Sequence, residues 1–127
     1  MGLFGRKKTG FADTKQVPHA NHPAHYRKTG NDDIEYITTT HHNPAKIKGK
    51  TINTVPLNDN FNPKDKKQAY VVPIVYEGKR SALGRERPDY NLTKNDKKIV
   101  DKIFENSPRE KVTKTSNSKN KTKKKKR

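Results

Sequence analysis

The 127-residue chain has no cysteine and no tryptophan, one methionine, and only 13 acidic side chains against 30 Lys and Arg. Without cysteine, disulfides and thiolate metal sites are excluded. No stretch approaches the ~18 apolar residues of a membrane-spanning helix. The start, MGLFGRKKTG, offers only Leu3 and Phe4 ahead of a basic run, so no signal peptide is expected. It also misses the N-myristoylation pattern, because Arg6 stands where Ser or Thr is wanted. A cytoplasmic location is expected, or a nuclear one in a eukaryotic cell. Apolar residues reach only 27% while charged residues make up 34%. At that balance a good part of the chain cannot bury enough surface to offset its ordering entropy.

What is present is positive charge, a formal +17. Such a footprint is most often that of a nucleic-acid-binding protein, although basic membrane-surface proteins and binders of acidic proteins share it. The distribution says more than the total. Residues 1–31 carry six basic side chains against one acidic, and residues 109–127 carry ten against one. Residues 32–108 are nearly balanced, with 14 basic and 11 acidic side chains, and hold most of the apolar residues. The expected organisation is a flexible basic arm (1–31), a small α+β body (32–108) and a disordered polybasic tail (109–127).

Within the body, IEYITTT at 34–40 is β-branched and aromatic, which predicts a strand. Residues 46–57 carry two β-type runs around Gly49, a hairpin or bulged strand. Residues 58–67 read as an exposed loop. AYVVPIVY at 69–76 predicts the central strand, against which Pro73 argues because it cannot donate to a ladder. Residues 78–91 are loop-like. Thr93, with Asp96 three residues on, caps a helix whose apolar stripe is Ile99, Val100, Ile103 and Phe104, and Ser107-Pro108 stops it. The fold class expected is α+β: an antiparallel sheet of three to four strands covered by one C-terminal amphipathic helix.

The candidate binding residues are cations. Lys119, Lys121, Lys123, Lys124, Lys125, Lys126 and Arg127 form a run that neutralises phosphates without reading sequence. Arg6, Lys7 and Lys8 repeat this at the other end. Lys79, Arg80, Arg85 and Arg87 sit beside Gly78 and Gly84 in a stretch that suits close approach to phosphate or a guanine edge, or is an ordinary solvated loop. Tyr36, Tyr70 and Tyr76 are better read as half-buried core rings than as a base-stacking platform. His19, His22 and His25 recur every third residue, but no Cys or acidic fourth ligand accompanies them, so no metal is expected. The acidic cluster Asp32, Asp33 and Glu35 matches no nuclease pattern, so no catalysis, cofactor or small-molecule substrate is expected.

The sequence thus points to a non-enzymatic nucleic-acid-binding accessory protein, contacting the phosphate backbone of DNA or RNA through its basic arms. The Lys, Asn and Ile bias fits proteins of AT-rich bacterial genomes and their mobile elements or phages. The alternative is a structural protein that docks through residues 34–106 to a protein partner in a ribosome, virion or conjugation complex.

Overall fold

The computed structural model describes residues 8–15 and 23–112. Among these residues one α-helix packs against a mostly antiparallel sheet. Strands β1 (Thr9–Thr14), β2 (Pro23–Lys28) and β3 (Asp33–Thr40) form a meander, with Phe11 opposite His25 and His25 opposite Ile37. A separate hairpin follows, β4 (Ala45–Ile47) and β5 (Lys50–Ile52). Its turn puts Lys48 and Gly49 at φ 52° and 81°, the left-handed pair that a two-residue hairpin turn requires.

After β6 (Val55–Pro56) and β7 (Tyr70–Val71) comes β8 (Val75–Lys79). The expected central strand is therefore two strands interrupted at Pro73. Both still pair with β3, β7 along Thr39 and Thr40 and β8 along residues 33–36. A 3-10 turn (Arg80–Ala82) leads into β9 (Leu83–Glu86), which pairs with β1. Helix α1 (Lys94–Asn106) follows, and β10 (Arg109–Lys111) closes the sheet by pairing parallel to β8. The path across the sheet is β10-β8-β3-β2-β1-β9. Because β8 and β9 lie far apart on this path yet are joined by three residues, the sheet must curl on itself.

The α+β class holds, but the sheet is larger than expected, with eight strands. Residues 1–31 are not simply an arm, because β1 and β2 within them form the middle of the sheet. Residues 78–91 are not simply a loop, because Leu83 is buried and leads β9 along β1. The tail boundary also moves, since β10 occupies residues 109–111 of the stretch expected to be disordered.

Alternation divides the side chains between two cores. Beneath α1 lie Phe11, Ile37, Val71 and Val75, packed with Val100, Ile103 and Phe104 of the helix. Phe61 is also buried there, stacked on Phe11 at 4.6 Å, so the loop at 58–67 is anchored rather than wholly exposed. On the other face Ala12, Ala24, Tyr26, Ile34, Tyr36 and Leu83 form a smaller cluster. Tyr26 crosses directly over Gly10, where an added Cβ would lie 2.9 Å from its hydroxyl. A larger residue there would have to displace both Tyr26 and the Glu86 carboxylate, 2.7 Å from the same Cβ position.

Helix α1 starts as its sequence predicts, with the Asp96 amide donating to the Thr93 side chain at 3.3 Å. The Asp96 carboxylate does not turn back on the cap. It accepts from the backbone N–H groups of Asn58 and Asp59 at 2.7 and 2.9 Å, tying the loop before Phe61 to the helix.

Candidate nucleic-acid interface

The arginines of the body are held by carboxylates. Glu35, buried on β3, accepts from both Arg27 of β2 and Arg109 of β10. Burial alone would raise its carboxyl, but hydrogen bonds from Arg109 and Arg27 outweigh that and hold it below the usual range. The Arg27 guanidinium also lies 4.2 Å from the centre of the Phe104 ring, a cation–π contact beneath the helix. Arg80 pairs with Glu86 at 3.2 Å and covers the Tyr26 ring, while Arg87 pairs with Asp13 at 2.8 Å. Asp33 pairs with Lys79 at 2.7 Å. With Asp33 on Lys79 and Glu35 between two arginines, both carboxylates are held by cations of the same fold.

The lysines behave differently. Lys94, Lys98 and Lys102 recur every fourth residue along the outer face of α1 and are exposed. Among the described residues, no carboxylate pairs with any of them. Lys97, one residue around the helix, is also exposed and lines a cleft.

That cleft, about 260 Å³, opens where β1, β2, the segment after β9 and the first turn of α1 meet. Lys8, Phe11, His25, Arg87, Tyr90 and Lys97 line it. Tyr90 packs edge-on to Phe11 and is braced by Asn62, whose side-chain amide donates to its hydroxyl at 3.3 Å. His25 is 8% exposed and stays neutral near pH 7. Burial, reinforced by the charges of Arg27 and Lys97, lowers its pKa from 6.5 to about 4. Its Nδ1 is buried with no hydrogen-bond partner, unusual for a polar atom in a folded interior.

Of the residues expected from sequence to bind, Lys8 and Arg87 meet at this cleft although 79 positions apart in the chain. Lys79 and Arg80 do not join them and are paired elsewhere. Arg85 is exposed on β9 and has no carboxylate partner among the described residues. Arg6, Lys7, Lys119, Lys121, Lys123, Lys124, Lys125, Lys126 and Arg127 lie outside the described residues, as do His19 and His22. His25, the third member of that spacing, faces Phe11 and Phe104 rather than a ligand set. No group of three or more His, Asp or Glu placed to hold a metal ion occurs among the described residues.

Lys97 and Tyr90 line the cleft without any signal in the sequence, whereas His25 stands out there only as a member of the histidine spacing. Lys97 looks like any solvated helix lysine, and Tyr90 sits outside any apolar period. Tyr36 is buried at 2% exposure and stacks on Tyr76 at 5.3 Å, which makes it a core ring. Among the described residues, no helix is long and apolar enough to cross a membrane. The chain matches no known protein-family profile, no curated protein and no solved structure.

Proposed function

We propose that this protein is a non-enzymatic nucleic-acid-binding accessory protein that grips phosphate backbone electrostatically. The observation that carries this reading is how the positive charge is distributed. The arginines Arg27, Arg80, Arg87 and Arg109 are neutralised within the fold, whereas the helix lysines face outward without carboxylate partners among the described residues. Ten further cations lie in residues 1–7 and 113–127. A surface with this much unpaired charge attracts a polyanion and releases its counterions on contact. The folded body holds the lysine row in place, and the terminal runs add affinity without sequence preference.

The test is a titration into duplex and single-stranded nucleic acid at several salt concentrations. A binder making many phosphate contacts gives a steep negative slope of log K against log salt, about −0.9 per contact on duplex DNA. A flat plot contradicts the proposal.

A further inference from the structure

We infer that the cleft between β1, β2 and the start of α1 binds one nucleotide of a single-stranded nucleic acid. Lys8 and Lys97 hold the phosphate, Tyr90 faces the base, and His25 lines the wall beside it. This rests on the nucleic-acid reading above and adds to it a specific place on the body.

Three independent features converge here. The first is charge. Three cations, Lys8, Arg87 and Lys97, meet a single carboxylate, Glu86. Arg87 is committed to Asp13, and Glu86 already accepts from Tyr26 and Arg80. The two lysines have no carboxylate partner among the described residues, so they are free to meet an anion. The second is the aromatic wall. Tyr90 is only partly buried and is fixed by Phe11, Phe61 and Asn62, with the Arg87 guanidinium 5.5 Å from its ring centre, so a base packs against the part of the ring that these leave open and little side-chain freedom is lost. The third is His25. A neutral imidazole with a buried, unpartnered Nδ1 is a costly feature, and among the described residues Thr14 alone shares it. The ring lines the cleft with the little of it that is exposed, and a base edge reaches Nδ1 only when the ring turns.

The size of the cleft selects a single nucleotide. At about 260 Å³ it lies just under the roughly 300–1,000 Å³ of small-ligand pockets, room for one base with its phosphate at the mouth. A base inside a duplex is stacked and paired and cannot enter, so the ligand is single-stranded.

The experiment measures binding of the full chain to a thymidine decamer, to a blunt duplex of equal length and to free thymidine monophosphate. Tyr90→Leu and Lys97→Ala are compared with the unaltered protein, and the His25 ring nitrogens are followed by NMR. Tyr90→Leu should weaken decamer binding at least about fivefold through loss of one base–aromatic contact. It should leave duplex binding unchanged, and Lys97→Ala, an exposed change that leaves the core intact, should flatten the single-strand salt slope by about 0.7. The His25 signal should move on adding the decamer.

A Tyr90→Leu variant that binds the decamer unchanged, an unmoved His25 signal and an indifferent Lys97→Ala variant would overturn the cleft assignment while steep salt dependence kept the electrostatic reading. Flat salt dependence for every ligand removes both. Thymidine monophosphate binding as tightly as the decamer would overturn the assignment to a strand.

Discussion

Arginine and lysine carry the same charge in this protein and do opposite things with it. Four of the five arginines in the described residues lie against a carboxylate, and three of those four also cover an aromatic ring. Only two of the fifteen lysines there form an ion pair, Lys48 with Glu110 and Lys79 with Asp33. The guanidinium is planar and weakly hydrated, which suits partly buried bidentate pairing, whereas the ammonium is compact and strongly hydrated. The net charge therefore overstates how much of the fold is available to a polyanion. Arginine holds sheet to helix, and lysine faces outward.

The sharpest way to break this division is at Glu35. Glu35→Ala leaves Arg27 and Arg109 without their shared carboxylate, and thermal or denaturant unfolding should show a loss of about 3 kcal/mol. The lower end of the usual range applies, because both arginines are about a third exposed. An unchanged midpoint would mean that the arginines are as dispensable as the lysines.

Acid sharpens the comparison at His25, the buried base beside Arg27. Its pKa is near 4 in the folded state and 6.5 when unfolded, so the unfolded chain binds the proton first. Stability is unaffected above pH 6.5 and falls as pH drops towards 4, by up to about 3 kcal/mol. His25→Phe should flatten stability across that window. Glu35 contributes in a lower range, because its carboxyl is held below the usual value and its stabilisation is lost only as it protonates.

Asp96→Ala removes two hydrogen bonds to the loop at 58 and 59 and a favourable charge in the first helical turn. The expected cost is about 2 kcal/mol in denaturant unfolding, with faster amide exchange at Asn58 and Asp59. The smallest effect on stability belongs to the lysines. Lys94→Gln, Lys98→Gln and Lys102→Gln together should move the unfolding free energy by less than about 0.5 kcal/mol.

How much of this was legible in the sequence depends on range. Strand β3, the hairpin at Gly49 and the capped helix are local patterns, and each stands where its residues predict. Strands β1, β2 and β9 were missed because their partners are distant or their charge misleads. Arg27 and Lys28 count as basic-arm residues until Glu35, eight positions on from Arg27, is seen to neutralise Arg27. Leu83 reads as a loop residue until β1 lies beside it. The cleft could not be read at all, since its residues come from four separate segments and only the fold joins them. The polybasic run at 119–127 is plain in the sequence. The structure adds that any truncation testing it must end after residue 112, because β10 and Val112 are hydrogen-bonded to the sheet.

The central claim, that the unpaired lysines grip phosphate, is tested most directly by the salt slope of duplex binding for the Lys94→Gln, Lys98→Gln, Lys102→Gln protein against the unaltered one. The account predicts a steep slope for the unaltered chain and one shallower by up to about 2.7 for the variant, with folding unchanged. Identical slopes would contradict it.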